Sequence, residues 1–201
     1  MTPFKLSTIP GDLNWLNQPL NWRIEKENAL QITAGPKTDL FIDPSGQSIK
    51  DNSPAALFVP PDSNFLLSAR VEVAFASTFD AGVLQLRARD DLWAKLCFEY
   101  SPQEQPTIVS VVTKGVSDDC NSVGIDGNDI CLRIAVKNRV ISFHYSHDNH
   151  YWHLIRYFAL ETSENYRVGF SVQSPVGRKC TAIFYDISYR AGFLNDNRKG
   201  E

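Results

Sequence analysis

The sequence predicts an all-β protein, an antiparallel sandwich or barrel, on three observations. Apolar and polar residues alternate in one short segment after another. The segments end in clusters of Gly, Pro, Asn and Asp, and no useful length shows helical spacing with caps. Side chains on a strand point to opposite faces in turn, so each segment presents one apolar and one mixed face.

The segments follow in order. Val71, Val73 and Phe75 alternate with Arg70, Glu72 and Ala74, and Leu84 and Leu86 with Gln85 and Arg87. Ala94, Leu96, Phe98 and Tyr100 alternate with Trp93, Lys95, Cys97 and Glu99. Further on, Ile130, Leu132, Ile134 and Val136 share one parity, as do Ile141, Phe143 and Tyr145, then Val168, Phe170 and Val172. Lys137-Asn138-Arg139 reads as a short hairpin turn, with Asn suited to positive φ. Ser146 to His150 separates the next pair, and Ser101 to Pro106 is a polar connection. No linker or repeat divides the chain, so 1–201 is expected to be one domain with its core at about 12–190. The polar segment Gly192 to Glu201 is expected to be a mobile tail.

Composition narrows the function classes. The 201 residues carry 20 basic and 23 acidic side chains, a net charge of −3, and are 43% hydrophobic. That content excludes wholesale disorder, and the charge offers no sequence-independent attraction for nucleic acid. No run approaches the ~20 apolar residues of a membrane span. Met1 to Asp12 lacks the pattern of a secretory signal, and no glycosylation sequon occurs. Cys97, Cys120, Cys131 and Cys180 have no metal or redox spacing, so free thiols in a cytoplasmic protein are expected. A Cys120–Cys131 bridge is the alternative in an oxidising setting.

Motifs for chemistry are sparse. His144, His147, His150 and His153 recur every third residue, but positions three apart on strands face opposite sides, so no metal site is expected. Ser117-Asp118-Asp119-Cys120-Asn121 and Asp126-Gly127-Asn128-Asp129 read as turns without EF-hand order. There is no GxSxG, HExxH or phosphate-binding Gly-rich loop. Glu25 and Glu27 are spaced for one strand face yet lie in a polar, hairpin-like stretch, and Glu99 has no acidic neighbour on its own strand. The more informative face holds Gln85 and Arg87 on one strand and Trp93, Lys95 and Glu99 on the next. An aromatic ring beside amide, ammonium and carboxylate groups is what a sugar site needs.

A set of segments resembles one family, named for a fungal regulation-of-enolase protein and also known as DUF1349. These are Trp15-Leu16-Asn17-Gln18-Pro19 with Trp22, Thr38-Asp39-Leu40-Phe41, Ile49-Lys50-Asp51-Asn52 and Asp80-Ala81-Gly82-Val83. Trp93-Ala94-Lys95-Leu96-Cys97-Phe98-Glu99-Tyr100, Val111 to Asp118, and Tyr145-Ser146-His147-Asp148 leading to Trp152 complete it. The resemblance covers roughly 12–190. It implies a concanavalin A-like lectin/glucanase fold, an antiparallel jelly-roll sandwich with Trp93, Lys95, Glu99, Thr113 and Asp118 around its concave surface. Two positions depart from the family, which often carries Trp where this chain has Asp119 and Phe41. The glucanase E-x-D-x-(x)-E signature is absent.

The expectation is a non-catalytic module for carbohydrate or a small polar ligand, needing no cofactor. Trp93 is expected to stack on the ligand, and Gln85, Lys95, Glu99 and Thr113 to hydrogen-bond to it, with Asp118 nearby. The alternatives are a regulatory protein acting through a protein partner, as the enolase-linked name implies, and a glycoside hydrolase using Glu99. Neither nucleic acid nor membrane is expected as a partner.

Overall fold

Strands that bury one face must find a second layer, and fourteen of the strands here do so as two packed sheets. The computed structural model describes residues 2–201, the side chain of Glu27 apart. In chain order the strands are β1 (Asn14–Leu16), β2 (Asn21–Ile24), β3 (Leu30–Ala34), β4 (Leu40–Ile42), β5 (Ile49–Asp51) and β6 (Ala55–Phe58). Next come β7 (Phe65–Ala74), β8 (Ala81–Arg89), β9 (Leu92–Tyr100), β10 (Pro106–Lys114) and β11 (Val116–Gly124). The last are β12 (Asp129–Lys137), β13 (Val140–Ser146), β14 (His153–Ala159), β15 (Arg167–Gln173) and β16 (Cys180–Ala191).

The first sheet runs β1-β6-β15-β8-β9-β10-β11 and the second β14-β13-β12-β7-β16-β3-β2, all pairings being antiparallel. The fold is therefore an antiparallel β-sandwich. Its core joins Leu84, Leu86, Leu96 and Phe98 of the first sheet to Val71, Leu132, Ile134 and Phe143 of the second. Each such buried side chain contributes about 1.5–3 kcal/mol.

Local chemistry sets the turns. Asn138 and Arg139 both take positive φ (49° and 66°) in the two-residue loop that pairs Lys137 with Val140. Both signs positive match the twist of a tight hairpin. Asp148 accepts the backbone N–H groups of His150 and Tyr151 and the Ser146 hydroxyl, which fixes the β13–β14 connection and lowers its carboxyl to about 2. Glu25, beside the 3-10 turn Lys26–Asn28, pairs with Arg23. Glu27, two positions on, has its side chain outside the described residues.

Two expectations are corrected. The segment after Gly192 is no loose tail. Leu194 packs on Leu66 and Ala135, Arg133 Nη2 donates to Gly200 O at 2.8 Å, and His144 Nε2 lies 2.7 Å from Asn197 O. Asp196 Oδ1 accepts the N–H groups of Arg198 and Lys199, curling the end into a closed turn. The cause lies in the second sheet, whose outer face carries Arg133, Ser142 and His144 and needs backbone carbonyls and amides to cover it.

The second correction concerns the mixed face of β8 and β9, which is buried too. The β4–β5 hairpin, a separate two-stranded sheet, lies across it. Leu40 and Ile42 pack there with Trp93, Cys97, Val109 and Val111. All four cysteines are free, with Cys120 exposed on β11 and Cys131 buried on β12 of the other sheet. Among the described residues no helix is long and apolar enough to cross a membrane.

Candidate functional site

Register places the polar side chains of the first sheet's outer face in rows. Glu99 faces Ala81 on β8, and Ala81 faces Gln173 on β15; Lys95 stands between Gln85 on β8 and Val111 on β10. Val111 in turn faces Asp119 on β11. Beside the hairpin these rows open into a cavity of about 240 Å³, bounded by Lys95, Glu99, Gln173, Asp119, Asp39 and Phe79, with Phe41 forming part of its wall.

The polar groups are held by one another. Lys95 Nζ donates to Gln173 Oε1 at 2.9 Å and lies 3.5 Å from Asp39 Oδ1. Gln173 Nε2 donates to Glu99 Oε2 and to Phe79 O, each at 3.2 Å. Burial pushes the Glu99 carboxyl up to about 8; Lys95 opposes this, and Asp119 and Asp39 add to it. The upward direction favours the protonated form, which can both donate and accept, and Oε2 accepts here from Gln173. Burial alone lowers the Lys95 ammonium, but Cys97, Asp39, Glu99 and Asp119 outweigh it and the net direction is upward. Desolvation also raises Asp119, against the pull of Lys95.

Phe79 sits at the mouth with φ of 68°. A bulky side chain in that region is an outlier that costs about 1–3 kcal/mol. Its backbone is over-determined: the N–H donates to Tyr100 O at 2.7 Å and the carbonyl accepts from Gln173. The ring is part-exposed beside the polar floor.

Of the residues singled out from sequence, Lys95 and Glu99 line this cavity. Gln85 and Trp93 share their face but do not line it. Trp93 is 0% exposed, packed under Leu40 and Ile42, so in this arrangement it is a core side chain and offers no stacking surface. Thr113 is buried as well, its hydroxyl 2.9 Å from Ser117 Oγ, which accepts the Ile42 N–H. Asp118 points the other way, to Arg156 Nη2 at 2.9 Å. Parity explains that correction: Ser117 and Asp119 share the cavity face of β11, and Asp118 between them cannot.

Sequence reasoning did not single out Asp39, Phe79 or Gln173 as lining residues, and met Asp119 only as the place where the family often carries Trp. Gln173 was within reach, since Val168, Phe170 and Val172 face the core and odd positions of β15 face the site. Phe79 had no signal, because its position depends on an unusual backbone angle in a loop.

The two packed seven-stranded sheets make the chain an antiparallel β-sandwich of jelly-roll type. Within that class the chain belongs to the family described as "Protein of unknown function (DUF1349)", whose model matches residues 15–191. It is 30% identical over 156 residues to "Regulation of enolase protein 1" of Saccharomyces cerevisiae, covering 77% of each chain. A solved structure of a functionally unknown protein from Saccharomyces cerevisiae superposes with a TM-score of 0.84 at 26% identity, over 95% of this chain and 100% of that one. More distant folds are alike. The GH43 BlXynB protein of Bacillus licheniformis matches at TM-score 0.68 and 17% identity, over 87% of this chain and 36% of its own. The carbohydrate binding module CBM66 of Bacillus subtilis matches at 0.58 and 14%, over 94% and 100%.

Proposed function

We propose that the cavity between β9, β15 and the β4–β5 hairpin binds a single sugar ring and performs no chemistry on it. The carrying observation is the Lys95–Gln173–Glu99 chain, an ammonium, an amide and a carboxyl in hydrogen-bond contact beside the Phe79 ring. Vicinal hydroxyls need donors and acceptors at fixed spacing, and an apolar ring face needs a flat partner. The volume falls below the roughly 300–1,000 Å³ of drug-sized pockets, which suits one ring. Similarity of fold to a carbohydrate binding module supports the reading.

Calorimetric titration with xylose, glucose and galactose tests it. Saturable heat with one of them, abolished in Lys95→Met and weakened in Phe79→Ala, is expected. No heat from a broad monosaccharide panel overturns the proposal. Turnover of aryl glycosides, lost in Glu99→Gln, would overturn the non-catalytic part and make Glu99 a general acid with Asp119 or Asp39 as the second carboxyl.

A second reading follows from the relative's name: a cytoplasmic regulatory protein acting through a protein partner. Co-purification of one partner in stoichiometric amount, insensitive to Lys95→Met, would favour that reading over the sugar site.

A further inference from the structure

Buried polar atoms without a partner are rare, because each costs about 1–3 kcal/mol. Four of them lie side by side on the outer face of the first sheet: Gln85 Nε2, Gln85 Oε1, Arg87 Nε and Trp93 Nε1 have no hydrogen-bond partner among the described residues. Gln85 and Arg87 are two apart on β8 and so share a face, and Arg87 pairs in register with Trp93 on β9. All three side chains are at most 1% exposed. Lys95, the floor of the sugar cavity, stands directly opposite Gln85. The strip is therefore continuous with the cavity.

What covers the strip is the β4–β5 hairpin, held along its length by side chains and at its base by a main-chain bridge in which Ser174 N–H donates to Thr38 O at 3.2 Å. No ladder joins it to either large sheet. Ile42 N–H donates to Ser117 Oγ at 3.0 Å, and Asp51 takes Arg87 Nη1 and Nη2 at 2.9 and 2.7 Å. Asn17 Nδ2 holds Asp51 O at 3.0 Å. The small cluster of Leu40 and Ile42 on Trp93, Cys97, Val109 and Val111 completes the seal. The outer side of β5 is exposed throughout. An isolated two-stranded hairpin is marginal by itself, so this element leans on those few contacts.

We propose that the hairpin is a lid over a polar cleft formed by Gln85, Arg87 and Trp93, and that the cleft takes the further rings of a neutral oligosaccharide whose first ring occupies the cavity. The proposal rests on the sugar-binding reading and extends it from one ring to a chain. The orphaned atoms, three donors and one acceptor, suit hydroxyl and ring oxygens. The guanidinium of Arg87 is already matched by Asp51 and by Asp90 at 2.9 Å, so the cleft has no free positive charge to attract an anion. Closed, the lid leaves four polar atoms unpaired; open, it exposes an apolar cluster. Ligand that pairs the four atoms shifts the balance toward the open form.

Gln85→Met tests this, since it keeps the length of the side chain and removes both orphaned atoms. The variant is expected to melt at least about 2–4 °C higher, the shift that relief of even one of its two orphans gives in a chain this long. Its affinity for xylohexaose is expected to fall about tenfold or more, as for one or two lost hydrogen bonds, with affinity for xylose unchanged. Hydrogen exchange supplies a readout that needs no ligand. The Ile42 amide is expected to exchange faster than the Val111 amide beneath it and to slow in Gln85→Met.

A lower melting temperature in Gln85→Met means that buried waters satisfy the amide, and overturns the cleft. So does an Ile42 amide that exchanges only with global unfolding, or equal xylohexaose affinity in both proteins. Either result with xylose binding intact leaves the cavity reading standing. Wild-type protein that binds neither sugar overturns both.

Discussion

Lys95 Nζ donates to Gln173 Oε1 at 2.9 Å across a strand, because β9 and β15 are separated in the sheet by β8. Gln173 also meets Glu99, because the β8 residue between those two is Ala81, whose methyl group leaves room for both side chains over it. Gln173→Met removes the amide and leaves Lys95 and Glu99 each one partner poorer in a buried site. A loss of about 1–3 kcal/mol is expected in urea denaturation, with monosaccharide binding abolished.

Glu99 makes stability depend on pH in an unusual direction. Its folded value near 8 lies above the ordinary 4.5, so between those limits the unfolded chain releases a proton that the folded chain keeps. Stability from this group is therefore full below about 4.5, falls as pH rises toward 8, and levels off beyond. The slope is at most about 1.4 kcal/mol per pH unit, one proton's worth. Denaturation midpoints between pH 5 and 8 should show the decline in wild type and a flatter profile in Glu99→Gln.

Trp93 and Phe79 exchange the roles that their types suggest. Trp93→Ala is expected to cost about 3–5 kcal/mol, as for a large aromatic taken from a packed core. Phe79→Ala removes a part-exposed ring and should change stability by less than about 1 kcal/mol. Thermal melts of the two variants, set beside xylose titrations, separate the ring that holds the closed hairpin down from the ring at the cavity.

The chain end protects a buried histidine. Burial lowers His144 to about 4; its contact with Asn197 O works against this and Arg133 adds to it. Below about 6.5 the unfolded chain takes up a proton that the folded chain refuses, so this group costs stability as pH falls toward 4. Deleting residues 193–201 should open His144 to water and return its titration, followed by NMR, toward 6.5. Gly200→Ala should do so in part: φ there is 76°, and a Cβ would stand 2.7 Å from Trp152 Cβ.

Period-2 alternation carried the fold because both sheets obey it: Leu84, Leu86, Leu96 and Phe98 turn inward as their parity requires. The same rule put Lys95 and Glu99 on one face. It could not tell that this face is covered, since what covers it is a hairpin of only three residues per strand, too short to register as alternation. Trp93 was misjudged for that reason. Asp118 was misjudged because a one-residue change of parity separates it from Asp119, and no pattern on β11 marks which is inward. The end of the chain was misjudged because its polarity suits a charged sheet face as well as it suits water.

Arg156, on the edge strand of the second sheet, reaches the edge strand of the first, contacting Asp118 through its carboxylate and main-chain oxygen and Ser110 O as well. An open strand edge is a template on which another chain can build, and β11 and β14 are the two edges at this side of the sandwich. A guanidinium planted on the Asp118 carbonyl of β11, with the Asp118 and Asp119 side chains exposed beside it, makes that side a poor surface for strand addition. A contact remote from the cavity thereby places paired charge at the edge where strand addition would begin.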